Sequence, residues 1–180
     1  TVRPYLDRVA DSAKAGPENW SVERDGRSFP LGGEPLTPAA QELAADLDRM
    51  SEPGERLFVG PADLSKTPYS DAYWYFVFGD LEPATRYIEM DPGIADAADS
   101  GLADDLAGAD WVILSHTWDG WDEANASGEP GSSAPNGVLV ADFCRYRTYG
   151  DSFELWKHRP ADGVCPDPEE PTPVTSPRTR

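Results

Sequence analysis

Residues 56–60, Arg56-Leu-Phe-Val-Gly60, form a short apolar run that breaks at once into Pro61-Ala62-Asp63. Two further runs follow the same design: Arg86-Tyr-Ile-Glu-Met90 runs into Asp91-Pro92-Gly93, and Trp111-Val-Ile-Leu-Ser115 into His116-Thr117-Trp118-Asp119. Between the first two runs, Tyr69 to Gly79 follows Ser70-Asp71, both good caps, and reads as a helix with Tyr73, Phe76 and Val77 inward. A buried strand fits the same aromatic string, because periodicity does not separate the two in so apolar a segment. Between the second and third runs, Asp99-Ser100 can cap a helix over 101–108 that turns Leu102 and Leu106 toward a sheet and ends near Gly108. The alternation predicts an α/β fold: a mainly parallel central sheet, with strands near 56–60, 86–90 and 111–115 joined by crossover helices. All three exits then lie along one edge, where open α/β sheets bind ligands.

Outward from this core, Trp20 to Leu31 carries Asp25-Gly26 between alternating residues, a strong hairpin signal. Thr37-Pro38 supplies an N-cap followed by proline at the first helical position, and Leu43, Leu47 and Met50 continue a helix over 38–50. On the other side, Gly120 to Asn136 is rich in Gly, Ser, Pro and Asp and reads as a long surface loop. Val138 to Phe143 fits a short helix or a strand. Residues 145–149 and 153–158, around Gly150-Asp151, predict an antiparallel hairpin at the sheet edge. Residues 1–15 read as a weakly amphipathic helix closed by Gly16-Pro17. The expected organisation is a single domain over 1–160 with a proline-rich, disordered tail over 161–180.

The chain has 180 residues and a net charge of −18, from 33 acidic against 15 basic residues. Only Lys14, Lys66 and Lys157 are lysines. Such a surface repels phosphate backbones and anionic lipid, which argues against nucleic-acid binding. The longest uninterrupted aromatic and aliphatic run is Tyr73 to Phe78, far below the roughly 18 residues of a membrane span. Opening at Thr1, without Met or an apolar leader, it reads as a processed or excised chain. Cys144 and Cys165 have no zinc spacing, but a disulfide between them would close a loop around the last hairpin in an oxidising compartment.

The sequence has no GxSxG, HExxH, phosphate loop or GxGxxG, and it implies no cofactor and no dedicated metal site. His116 and His158 are the only histidines. His116, at the third strand exit, is the better placed for chemistry, although a histidine there can equally cap the strand end. Asp63, Glu89, Asp91 and Asp119 can converge as an acid/base pair or as oxygen ligands for a hard cation. Without any ligand, Asp63 and Asp91 are explained as turn caps beside proline and Asp119 as the start of the loop. Glu89, inside an apolar run, must face solvent or a buried partner. The stretch Thr117-Trp-Asp-Gly-Trp-Asp-Glu-Ala-Asn125 has the aromatic faces and planar carboxylate and amide groups that suit a saccharide. Trp118 and Trp121 can alternatively fold back as plugs on the sheet edge.

Several ordered motifs carry a family resemblance: Phe58-Val-Gly-Pro-Ala-Asp-Leu64, Tyr69-Ser-Asp71, Pro83-Ala84-Thr85, Tyr87-Ile-Glu-Met-Asp-Pro-Gly93, Leu102-Ala-Asp-Asp-Leu106, Ala109-Asp-Trp-Val-Ile-Leu114, Pro135-Asn136, Phe143-Cys144 and Tyr149-Gly150. Over residues 20–160 the chain resembles the extracytoplasmic C-terminal domain of actinobacterial multi-span membrane proteins. Those proteins are similar to the dolichyl-phosphate-mannose protein mannosyltransferase family. The resemblance implies that residues 1–15 link to a membrane part, that the acidic surface faces the cell exterior, and that Cys144 and Cys165 are oxidised. It also implies that catalysis belongs to the membrane part, since none of these carboxylates matches a family catalytic position.

The expected function is a non-catalytic, membrane-tethered accessory domain that contacts a saccharide or polypeptide acceptor. Its partners are the membrane part of its own parent chain and that acceptor. The ligand-binding candidates are Asp63, Glu89, Asp91, His116, Trp118, Asp119 and Trp121. One alternative is a secreted hydrolase with Glu89 as acid and Asp119 or Asp91 as partner, whose carboxyl groups would stand about 5–9.5 Å apart. Another is a structural or docking module of the cell envelope.

Overall fold

The computed structural model describes residues 20–31, 36–122 and 126–166. The helix expected over 1–15 and residues 167–180 of the expected tail lie outside them, as do Glu123, Ala124 and Asn125. The chain opens with the predicted hairpin, β1 (Ser21–Arg24) and β2 (Arg27–Pro30). Its two-residue turn places Asp25 at φ 48° and Gly26 at φ 77°, the left-handed pair that matches the twist of adjoining strands. Helix α1 (Leu36–Met50) follows, starting two residues before the expected position.

The central sheet has five strands in the order β4-β3-β5-β7-β6. Strands β3 (Arg56–Pro61), β4 (Glu82–Pro83) and β5 (Trp111–Ser115) are parallel, with β3 between the other two. Strands β6 (Phe143–Tyr149) and β7 (Phe153–His158) form the expected C-terminal hairpin, and β7 joins it to β5 in antiparallel register. The sheet is therefore mixed rather than cleanly parallel. Helices α2 (Tyr73–Val77) and α3 (Leu102–Ala107) lie within the connections β3–β4 and β4–β5.

Alternating residues divide between two cores. Leu57, Val59, Trp111 and Ile113 face α1, α2 and the β1–β2 hairpin, whereas Phe58, Val112 and Leu114 face α3 and helix α4 (Ala134–Asp142). Burial on both faces explains why β3 and β5 lack a polar side.

Three expectations need correction. Residues 86–90 do not form a strand; the neighbour of β3 is the two-residue β4, paired Arg56 to Glu82 and Leu57 to Pro83. Beyond it the Arg56 guanidinium takes the Ala84 carbonyl at 2.7 Å, and Thr85 Oγ1 accepts the Tyr87 N–H at 3.1 Å, so the chain leaves the ladder. Met90 is then buried from a turn, at φ 52°, and Glu89 is exposed. The second correction concerns α2, which is shorter than 69–79 and buries Trp74 and Val77 while Phe76 is 51% exposed. Ser70 and Asp71 do not cap it through their side chains: Ser70 Oγ donates to the Ile88 carbonyl, and Asp71 receives the Trp118 indole N–H. Third, the surface loop expected to reach Asn136 ends sooner, because α4 begins at Ala134 with proline in its first turn.

Cys144 and Cys165 form a disulfide that holds the chain after Pro160 against β6. No described helix is long and apolar enough to cross a membrane.

Candidate functional site

The sheet changes direction at β3: β4 lies on one side of it and β5 on the other. The adjacent carboxyl ends of β3 and β5 thus form the kind of reversal point at which open α/β sheets leave a crevice. A solvent-open cleft of about 330 Å³ lies there, lined by Asp63, Lys66, Trp118, Asp119, Trp121 and Asp122 together with Pro61, Ala62, Pro68 and Ser127.

The β3 side is built by a fixed turn. The Ala62 N–H extends the pairing to the Ser115 carbonyl at 2.9 Å, and Asp63 then reverses the chain. Asp63 Oδ1 accepts the Ser65 N–H at 3.0 Å, the Ser65 hydroxyl at 2.7 Å and the Asn136 amide at 2.8 Å. Asn136 returns a second contact, accepting the Leu64 N–H at 3.0 Å, so α4 clamps this exit. Partial burial opposes ionisation of Asp63, but the donors from Ser65 and Asn136, with Lys66 nearby, outweigh it and hold the carboxyl below its ordinary range. Gly60 permits the close approach of Leu64, whose Cδ2 would stand 2.8 Å from an added Cβ.

The β5 side is a series of tight turns. The His116 N–H bonds the Ser152 carbonyl, Asp119 N–H bonds His116 O, and Trp121 N–H bonds Trp118 O. His116 Nδ1 lies 2.7 Å from Asp119 Oδ2, and Nε2 lies 3.7 Å from Glu154 Oε1. The imidazole therefore orients Asp119, although His116 does not itself line the cleft. Trp118, Trp121 and Tyr69 group into a three-ring cluster with centroid separations of 5.2, 5.9 and 6.0 Å. Trp118 is partly buried and anchored, its indole N–H donating to Asp71 Oδ1 at 3.3 Å, while Trp121 is 48% exposed. The plug and platform readings thus divide between the two tryptophans.

Asp71, expected only as a helix cap, is not among the predicted site residues, yet it bonds the Trp118 indole. It is 7% exposed, and its Oδ2 is buried without a hydrogen-bond partner. Burial pushes its carboxyl above the ordinary range, opposed by the hydroxyls of Ser115 and Thr117 and the Trp118 indole. Its side-chain hydrogen-bond partners, Ser115, Thr117 and Trp118, lie more than 40 positions away, so no local pattern could reveal them. Lys66 also escaped notice: it makes no ion pair with a described residue, although its ammonium is close enough to influence Asp63.

Of the predicted residues, Asp63, Trp118, Asp119 and Trp121 line one cleft, and His116 bears on it through Asp119. Glu89 and Asp91 do not line it; Glu89 faces solvent and the Asp91 carbonyl anchors the turn to Ala95. Among the described residues no group of three or more His, Cys, Asp and Glu side chains is arranged to hold a metal ion. The arrangement offers apolar ring surface beside fixed acceptors and one cationic donor, a combination that fits a hydroxyl-rich ligand. Comparison with family models, with curated proteins and with solved structures finds no match.

Proposed function

We propose that this chain is an extracytoplasmic accessory domain of a membrane-embedded, glycosyltransferase-like protein, and that it holds a saccharide acceptor in the cleft at the ends of β3 and β5 without catalysing transfer itself. The observation that carries the reading is the Tyr69, Trp118 and Trp121 cluster beside Asp63 and Asp119. Aromatic faces stack on the C–H surface of a sugar ring, and carboxylates accept from its hydroxyl pairs. The Cys144–Cys165 disulfide supports an oxidising compartment. The hydrolase reading has less support, because Glu89 and Asp91 stand outside the cleft that Asp119 lines.

Saturation-transfer NMR with cell-wall saccharide fragments tests this on the 180-residue chain. Transfer to sugar protons is expected with the native chain and is expected to be lost in Trp118→Ala and Trp121→Ala. Transfer that survives both substitutions, or no transfer to any fragment, would contradict it.

A further inference from the structure

The charges around the cleft bear on which sugars it can admit. Among the described residues that line the cleft, Asp63, Asp119 and Asp122 stand against a single ammonium, Lys66. Carboxylates only accept hydrogen bonds, so a ligand must bring donors to them, and Lys66 requires an acceptor in return. Asp63 already has three donors and the nearby Lys66. Asp119 and Asp122 are exposed, and the contacts of Asp119 leave its wall carboxylate with only the His116 imidazole. The whole chain, these residues included, carries a net charge of −18.

We propose that the cleft selects neutral and amino-substituted sugars and excludes uronic and phosphorylated ones, with Asp119 and Asp122 as the discriminating residues. This rests on the saccharide reading of the same cleft. A neutral sugar satisfies both kinds of wall group, because each hydroxyl can donate to a carboxylate and accept from Lys66. An amino sugar gains a further attraction. An anionic sugar has one cation to pair with and meets the remaining carboxylates as like charges. One uncompensated carboxylate about 6 Å away disfavours an anion by a factor between about three and a hundred, over effective dielectric constants from about 80 to about 20.

The test is an NMR titration of the 180-residue chain with methyl glycosides of the gluco, manno and galacto series, each beside its 2-amino-2-deoxy and uronic counterparts. In any series that binds, the uronic sugar is expected to bind at least about tenfold more weakly than the neutral one, with the amino sugar the tightest. Asp119→Asn/Asp122→Asn is expected to narrow the neutral-to-uronic gap at least about threefold, and raising the salt is expected to narrow it in the native chain. Equal or tighter binding of the uronic sugar, or a gap unchanged by the double substitution, would overturn the selectivity and leave the saccharide reading standing. Absence of binding across all three series would overturn both.

Discussion

The two ends of the central sheet are built on opposite terms. At the amino end, backbone and side-chain polar groups close on one another. The Trp111 indole donates to Glu55 at 2.8 Å, Asp110 accepts the Arg56 N–H at 2.8 Å, and the Arg56 guanidinium takes the carbonyls of Gly108 and Ala84. The Lys157 ammonium sits 4.5 Å from the Trp111 ring centroid. Register carries the row from Leu57 through Trp111 and Lys157 to Cys144, so the disulfide fastens this same end. At the carboxyl end, Lys66 makes no ion pair with a described residue, Asp119 and Asp122 are exposed, and Trp118 and Trp121, with Tyr69 packed against them, border an open cleft. Groups that satisfy one another stabilise a fold; groups fixed in place but turned outward are available to a ligand.

Changes at the closed end should therefore alter stability and leave binding intact. The largest effect is expected from Cys144→Ser/Cys165→Ser, which releases a loop of 21 residues and should cost about 3 kcal/mol in the chain-entropy account. Urea unfolding measures it, and sugar affinity should not change; a matching loss of affinity would break the separation of the two ends. Arg56→Ala, which strips the donors from two carbonyls, should cost about 2 kcal/mol in the same assay, again with the cleft unaffected.

The open end should behave in reverse. Trp118→Ala is expected to weaken saccharide binding at least about tenfold, a larger effect on affinity than any change at the amino end. The smallest effect sharpens the picture of Asp71. Its folded carboxyl titrates above the ordinary 3.8, so the protonated form is the one the fold favours. Its contribution is fully present below the unfolded value and is lost as the pH rises through the folded one. The stability of the native chain relative to Asp71→Asn should accordingly fall as the pH rises from about 4 toward neutrality. A rise over that range would show that Asp71 is better stabilised as a carboxylate than its surroundings imply.

The same contrast explains what could be read from the residues alone. β3, β5 and the final hairpin were legible because burial on both faces, or a clear turn, leaves a local pattern. β4 was not: Glu82 and Pro83 are exposed, and they join the sheet through backbone contacts with Arg56 and Leu57. The apolar residues of 86–90 imitate a strand because Met90 is buried from a turn instead. Phe76 and Trp74 cannot be ranked by hydrophobicity, and it is the packing of α2 against the hairpin and sheet that buries one and exposes the other. In the cleft, Asp63, Trp118, Asp119 and Trp121 follow directly from the strand exits. Asp71 does not, because its environment is assembled by Ser115, Thr117 and Trp118 from a separate part of the chain.

The six tryptophans provide the most direct test of the central claim, since their indole N–H groups report from both ends of the sheet. Trp118 and Trp121 border the cleft, Trp111 marks the amino end, Trp74 is buried in one core, Trp156 packs half-buried against the other and Trp20 precedes the first hairpin. In a two-dimensional ¹⁵N–¹H spectrum titrated with a binding neutral sugar, the Trp118 and Trp121 indole signals should move together with saturation while the other four remain in place. Movement at Trp111 or Trp156 with Trp118 and Trp121 unmoved would contradict a saccharide site at the carboxyl ends of β3 and β5.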